Sequence, residues 1–240
     1  MAIIAYSTEF YAILSITIGV VIVKSILSVL LLRKTIKAKQ EGLQSYEFIG
    51  TIAILLICLV LSRIFLMIFD FSLTHFNLDS YYVGINPWFW KLGISFANFG
   101  MIPIVYVVDK KILQGKFKGI PAIWLFVGSL ILLAYPVNSI QDFEVLSTVY
   151  IIASLGALIV PAVFIKMIRD TTGTLKTYSL VFLIGLILYT LAGLVVNAAI
   201  LTQINELTGQ PMEVFLYSLQ AIFKIVGLVL FSYASSKLAI

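Results

Sequence analysis

Residues 10–39 read FYAILSITIGVVIVKSILSVLLLRKTIKAK, an apolar run that ends in a cluster of basic residues. The part from residue 10 to residue 32 is long enough to cross a bilayer as a helix, because a hydrocarbon core of about 30 Å needs about 20 residues. One cation, Lys24, interrupts the run. Because Lys and Arg clusters beside a span stay on the cytoplasmic side, this pattern predicts a span whose amino terminus lies outside.

The rest of the chain repeats this alternation of apolar stretches and short polar segments. Its 240 residues are 61% hydrophobic and 11% charged, a composition that excludes a soluble globular domain. The composition predicts an all-α integral membrane protein, a single seven-transmembrane-helix bundle over residues 1–240 with no soluble domain. The predicted spans are residues 10–32, 48–69, 87–108, 120–137, 145–165, 178–200 and 214–235.

Charge is distributed unevenly over the predicted loops. The basic residues outside the spans follow spans one, three, five and seven, whereas the opposite side carries acidic residues such as Asp142 and Glu144. This asymmetry predicts a multi-pass protein of the cell membrane, with its N-terminus outside and its C-terminus cytoplasmic. Topology therefore accounts for the net charge of +5, and we expect the lipid bilayer, not nucleic acid, as the partner of the basic loops.

Four cations lie within predicted spans: Lys24, Arg63, Lys91 and Lys224. A charged side chain in hydrocarbon is costly unless it faces polar protein groups, water or an interface. Arg63 has a candidate partner in Asp70, two turns further along the same span, which predicts a structural ion pair near the outer end. Lys24 and Lys91 lie where a lysine can extend to an interface, but Lys224 has no such route.

Polar side chains recur at helical spacing beside Lys224. Gln220 and Tyr217 precede it by four and seven residues, so they share one face of the last span. We infer a polar cavity in the bundle core, where Lys224 anchors an anionic or carbonyl group of a small ligand. The alternative is a lysine solvated by Gln220, hydroxyls and water. The predicted ligand-binding residues are Lys224, Gln220, Tyr217, Lys91, Ser95, Asn98 and Asn197.

A weak internal similarity relates the two ends of the chain. Residues 34–46 align with residues 166–178, and one residue further on Lys91 falls opposite Lys224. Spans one to three and five to seven run in the same directions, so a parallel pseudo-repeat of the form 3+1+3 is geometrically sound. The alternative is chance similarity between apolar helices.

No residue pattern suggests catalysis. The chain has one cysteine, Cys58, and one histidine, His75, and it lacks clustered acids and a phosphate-binding loop. We therefore expect neither an enzyme nor a metal site, and we assign no catalytic residue.

The lysine within LQAIFKIVG, residues 219–227, resembles the retinal lysine of microbial rhodopsins, which also share the span number and orientation. That resemblance would imply retinal on Lys224. However, Gln220 stands where those proteins carry an acidic residue, and Ser95 and Asn98 stand where their third helix carries acids. A protonated Schiff base would lack a counterion, so a retinal cofactor is disfavoured and no cofactor is expected.

Three further stretches carry a broader resemblance. They read LSRIFLMIFDF at residues 61–71, WKLGISFANFGMIPIVYVVDKKI at residues 90–112 and PAVFIKMIRDTTGTLKTYSLVFLIG at residues 161–185. They look like uncharacterised archaeal-type seven-transmembrane proteins, which are similar to the membrane sensory regions of some histidine kinases. The resemblance implies a seven-helix input module and transfers no functional residue.

Several functions fit these patterns. The first is a receptor-like or sensory protein that binds a small ligand or lipid around Lys224 and reports to a cytoplasmic or membrane protein partner. The second is a small-solute facilitator or transporter with a midplane anion site. A membrane scaffold subunit and a retinal-binding pigment are the remaining alternatives. A transporter would move an anion across a bilayer, a receptor would bind without flux, and a scaffold would do neither.

Overall fold

The computed structural model describes residues 6–195, 204–205, 207 and 212–238, and helices are the regular secondary structure of this part of the chain. The α-helices are α1 (Thr8–Gln40), α2 (Tyr46–Met67), α3 (Asn86–Val107), α4 (Ile120–Ala134), α5 (Ile140–Ser154), α6 (Ile159–Asp170), α7 (Gly173–Val195) and α8 (Glu213–Ser235). Wider π-helical turns at Ile68–Leu73 and Val108–Ile112 prolong α2 and α3. Short 3-10 helices lie at Leu78–Ser80 and Leu155–Leu158.

Six helical stretches of the described chain are long and apolar enough to cross a membrane. They are Thr8–Gln40, Tyr46–Leu73, Asn86–Ile112, Ile140–Asp170, Gly173–Gly193 and Glu213–Ser235. The helix α4 is also apolar but has only 15 residues, fewer than a typical span. The predicted all-helical, multi-pass membrane character is therefore confirmed. The seventh crossing, the orientation and the pseudo-repeat stay predictions.

The carboxyl ends of α1 and α4 differ from the ends of the predicted spans. The helix α1 runs two turns past residue 32, and an ion pair at i,i+4 between Lys37 and Glu41, 3.8 Å apart, supports this end. The helix α4 stops three residues before the predicted end at residue 137, because Tyr135 is extended and Pro136 follows it. The predicted sixth span, 178–200, is described as far as Val195.

A break divides the predicted fifth span. Pro161 has no N–H for the helical hydrogen bond one turn back, and the chain just before it narrows into the 3-10 segment Leu155–Leu158. Within that segment Gly156 approaches α4 so closely that an added Cβ would lie 2.6 Å from the Pro121 carbonyl oxygen. We call Leu155–Leu158 the α5–α6 break, and cavities lie on both sides of it.

The backbones of α7 and α8 touch at two glycines. A Cβ added to Gly185 would lie 2.6 Å from the Phe231 nitrogen and 2.7 Å from the Gly227 oxygen. Conversely, a Cβ on Gly227 would lie 2.7 Å from the Gly185 oxygen and 2.8 Å from the Tyr189 nitrogen. Small residues allow such close approach of membrane helices. This contact fixes the face of α8 that carries Lys224 against the face of α7 that carries Tyr189.

Aromatic packing joins α2, α6 and α7 in the main hydrophobic core. The rings of Phe164 and Phe182 stack with centroids 4.0 Å apart, and Phe48 lies 6.0 Å from Phe182. All three side chains are buried. Ring stacking of this kind adds to the stabilisation from burial, so this core holds the helices that surround the candidate site.

Candidate functional site

Three cations from three different helices approach one another inside the bundle. Lys24 on α1 is 3% exposed, and its ammonium donates a hydrogen bond to the Leu59 carbonyl at 3.4 Å. Arg63 on α2 and Lys224 on α8 lie near enough to act on Lys24 electrostatically, and Arg63 acts on Lys224 in the same way. We call Lys24, Arg63 and Lys224 the cationic cluster.

One carboxylate faces the cationic cluster. The Nη1 atom of Arg63 lies 3.9 Å from Oδ2 of Asp70, the residue predicted to pair with it, and its Nη2 atom donates to the Thr17 hydroxyl at 3.2 Å. Asp70 also acts electrostatically on Lys224. Among the described residues, the cationic cluster has three basic side chains for this one carboxylate, which gives it an excess of positive charge.

Tyrosines surround the charged groups. The ring centroid of Tyr189 is 5.7 Å from the Lys24 ammonium, a cation–π distance. Tyr217 lies close to both Arg63 and Asp70. In the segment between α2 and α3, burial raises the pKa of Tyr81, and the nearby carboxylate raises it further. The Tyr81 hydroxyl therefore keeps its proton at neutral pH and remains a hydrogen-bond donor.

Lys224 is the member of the cluster that has no direct partner among the residues described by the structure. Its side chain is half-buried, and its ammonium forms no direct hydrogen bond or ion pair with any residue that the structure describes. Gln220, one turn earlier, is buried, and within the described chain its amide forms no hydrogen bond either. Burying a hydrogen-bond donor costs free energy unless water or a ligand accepts its hydrogen bond. The Lys224 face of α8 therefore has unused hydrogen-bonding capacity.

A cavity of about 490 Å³ adjoins the cationic cluster. Leu59 and Tyr189, which both contact the Lys24 ammonium, form part of its wall. Its volume is typical of small-molecule sites, and most of the wall is apolar. The polar residues of the wall are Asn98, Tyr150, Ser154, Tyr189 and Thr190. We call this space the core cavity.

One side chain of the core cavity has an unused donor. Asn98 is 4% exposed, and its Oδ1 atom accepts a hydrogen bond from the Ser154 hydroxyl at 3.4 Å. Its Nδ2 atom is buried and has no hydrogen-bond partner among the described residues. Because the side chain is held by Ser154 while Nδ2 is free, Asn98 can orient an acceptor group within the cavity.

The predicted ligand-binding residues do not all meet at one place. Lys224 and Tyr217 lie at the charged groups, Gln220 is on the same helix, and Asn98 lines the core cavity. Ser95, three residues before Asn98 on α3, is buried, and its hydroxyl has no hydrogen-bond partner in the described part of the chain. It is not part of the cavity wall. Asn197 lies outside the described residues.

Lys91 lies in a separate environment. Its ammonium donates a hydrogen bond to the carbonyl of Tyr135, just after the last residue of α4, and lies 4.7 Å from the centre of the Trp88 ring. Cations are favoured at the carboxyl ends of helices, where carbonyl groups lack partners. None of these contacts belongs to the cationic cluster, so the structure does not bring Lys91 together with Lys224.

Replacing Lys91 by methionine should therefore affect stability more than binding. Lys91→Met leaves the Tyr135 carbonyl without its donor, and we expect the free energy of unfolding to fall by about 1–3 kcal/mol. Denaturation in detergent micelles measures this change, and Lys91→Arg, which keeps a cationic donor, is the control. An unchanged stability in Lys91→Met would contradict this role.

Sequence spacing leaves the position of Lys24 open between a membrane interface and the bundle interior. In the structure, the Leu59 carbonyl and the Tyr189 ring hold its ammonium inside the bundle. The useful signal was the spacing of seven between Thr17 and Lys24, because Thr17 receives the hydrogen bond from Arg63. That spacing places both residues on one face of α1.

Comparison of the chain with protein-family models, with curated proteins and with solved structures gives no match. The resemblance to seven-transmembrane sensory proteins therefore rests on the sequence motifs alone and stays a prediction.

Proposed function

We propose that this protein is a receptor-like or sensory membrane protein that binds an amphipathic organic anion inside the helix bundle. The charged group of the ligand is held at the cationic cluster, and its apolar body fills the core cavity. The site binds this ligand, and the protein reports the bound state to a partner protein through its loops.

The proposal is supported by two residues that lie between the cationic cluster and the core cavity. Leu59 and Tyr189 contact the Lys24 ammonium on one side and line a largely apolar cavity of about 490 Å³ on the other. A neutral apolar ligand would leave the positive excess unused. A small inorganic anion would leave the apolar cavity unfilled. A molecule with one anionic end and one apolar body matches both.

Lys224 is the residue of the cluster best suited to hold the anion. Lys24 already donates to the Leu59 carbonyl, and Arg63 already contacts Thr17 and Asp70. Lys224 has no direct partner among the described residues, so it can form a charge-assisted hydrogen bond without first breaking another.

The α5–α6 break favours a second candidate, a facilitator or transporter for the same class of anion. Helices broken near the middle of the membrane are common at the substrate sites of transporters. Here Leu158 in the break and Pro161 just after it both line the core cavity. Movement at this point could open the cavity to one side of the membrane.

Binding of octanesulfonate tests the proposal. Its sulfonate stays anionic, and its alkyl chain models the apolar body. By isothermal titration calorimetry in lipid nanodiscs, we expect the intact protein to bind octanesulfonate and to bind octanol far more weakly. Lys224→Ala should weaken octanesulfonate binding about 10- to 100-fold, because a hydrogen bond to a charged group contributes about 1.5–3 kcal/mol.

The controls distinguish binding of octanesulfonate to the Lys224 cation from its partition into the lipid of the nanodisc. Empty nanodiscs report partition, and Lys224→Arg should keep most of the affinity because it keeps the cation. Equal affinity for octanesulfonate and octanol, or unchanged binding in Lys224→Ala, would refute the proposed site. Uptake of labelled octanesulfonate into proteoliposomes that is lost in Lys224→Ala would favour the transporter.

A further inference from the structure

A second cavity lies on the flank of the bundle between α4 and α6. It has a volume of about 600 Å³ and is separate from the cationic cluster. Its apolar wall includes Pro121, Trp124, Leu155, Ile159 and Ala162. We call this space the α4–α6 groove. The helices on both sides of the groove expose large apolar side chains, a property that suits contact with the hydrocarbon of a bilayer.

Two lysines line the groove together with these apolar residues. Lys116 comes from the loop between α3 and α4, and Lys166 comes from α6. Both are exposed, and neither side chain forms an ion pair or a hydrogen bond within the described chain. The groove therefore combines an apolar wall with two basic side chains that have no ion-pair partner among the described residues.

The loop that carries Lys116 is held in a fixed shape. Asp109 is 2% exposed, and its carboxylate accepts hydrogen bonds from the Phe117 N–H at 3.0 Å and from the Gly119 N–H at 2.7 Å. Its carbonyl accepts a third bond, from the Gly115 N–H at 2.8 Å. Asp109, just after α3, thus accepts hydrogen bonds from three backbone N–H groups of the loop and holds the loop against the end of this helix.

The backbone of this loop adopts conformations that need such support. Gln114 has φ 54° and Lys118 has φ 52°, in the left-handed region that non-glycine residues rarely occupy. Uncommon backbone conformations persist where surrounding contacts enforce them, and they concentrate at ligand-binding segments. Phe117, between the two, lines the groove next to Lys116. The mouth of the groove is therefore formed before anything binds.

We propose that the α4–α6 groove binds an anionic phospholipid. Its phosphate lies between Lys116 and Lys166, and one acyl chain lies along Trp124 and Leu155. Charge complementarity selects this occupant, because lysines beside apolar surface at the membrane face attract anionic headgroups. A soluble phosphate compound would use the lysines but not the apolar wall, and a neutral lipid would use the wall but not the lysines.

Native mass spectrometry of the detergent-solubilised full chain tests this site. The protein is titrated with phosphatidylglycerol and with phosphatidylcholine of the same acyl chains. We expect a preference for phosphatidylglycerol that falls about tenfold or more in the double variant Lys116→Ala/Lys166→Ala. The control is Lys39→Ala/Lys176→Ala, which removes the same charge from exposed lysines that do not line the groove.

Two further measurements distinguish the occupants. Ala162→Trp fills the groove without changing its charge and should also reduce phosphatidylglycerol binding, because Ala162 is an exposed residue of the groove wall. Excess glycerol phosphate should not displace the bound lipid. Equal losses in the two double variants would show diffuse attraction to the basic face and overturn the proposal. Displacement by glycerol phosphate, or unchanged binding in Ala162→Trp, would overturn it as well.

Discussion

Gly185→Ala is expected to lower the free energy of unfolding by about 3 kcal/mol, a large effect for one added methyl group. The new Cβ would lie 2.6 Å from the Phe231 nitrogen and 2.7 Å from the Gly227 oxygen. Both are backbone atoms of α8, so no side chain can rotate away and the two helices must separate. Unfolding in bicelles by added sodium dodecyl sulfate measures the loss.

Gly193→Ala is the matched control for this prediction. It makes the same chemical change on the same helix, and an added Cβ there meets nothing within 4 Å. Alanine is the better helix former, so we expect unchanged or slightly higher stability. Separation of α7 from α8 would also displace Tyr189, whose nitrogen lies at the Gly227 contact and whose ring faces Lys24, so octanesulfonate binding should fall in Gly185→Ala alone. Equal stability of the two variants would show that the glycine contact is unimportant.

Arg63→Met is expected to reduce stability by about 3 kcal/mol and to weaken octanesulfonate binding. The arginine is the nearest cation to Asp70, at 3.9 Å, and both side chains are largely shielded from solvent. Removing one member of a buried pair leaves the other charge without compensation, which typically costs about 3–5 kcal/mol. The partial exposure of the pair places the expected value at the lower end of that range. Denaturant unfolding and calorimetry measure the two effects.

A double-mutant cycle checks the cause. Asp70→Asn should lower stability but strengthen octanesulfonate binding, because it removes a carboxylate that competes with the ligand for Lys224. Arg63→Met/Asp70→Asn should regain part of the stability lost in Arg63→Met, since no unpaired carboxylate remains. Additive losses in the double variant would argue against the ion pair. Weaker binding in Asp70→Asn would argue against the anion site.

Composition and loop charge were enough to predict a multi-pass helical membrane protein. Helical periodicity also placed Tyr217 and Lys224 on one face of α8, where both meet the charged groups of the core. These properties follow from local sequence, because span length and helical spacing are local quantities.

The partners of the buried cations could not be predicted in the same way. The Arg63 guanidinium reaches Thr17, 46 residues earlier, and Lys24 reaches Leu59, 35 residues later. A lysine side chain can point towards either interface or towards a neighbouring helix, and only the tertiary packing decides between them. Sequence spacing within one helix therefore suggested the partner Asp70 for Arg63 and a shared face for Thr17 and Lys24. It did not show that the three cations of the cluster meet.

The partner of Lys91 lies at the end of another helix, 44 residues later in the chain. A fourth span that continued to residue 137 would also leave the Tyr135 carbonyl without a helical partner, because the last four carbonyls of a helix lack one. The structure ends α4 at Ala134, and this leaves the carbonyl free to accept from Lys91. Helix ends are the least certain part of a sequence-based prediction, and a lone buried lysine signals that an unpaired acceptor is near.

The α5–α6 break has a thermodynamic consequence. Leu158 belongs to the wall of both the core cavity and the α4–α6 groove. An occupant of either space that displaces this residue changes the shape available to the other. Such coupling is reciprocal, so the factor by which a lipid alters affinity for the anion equals the factor by which the anion alters affinity for the lipid. Bilayer composition would then set the concentration range over which the protein responds.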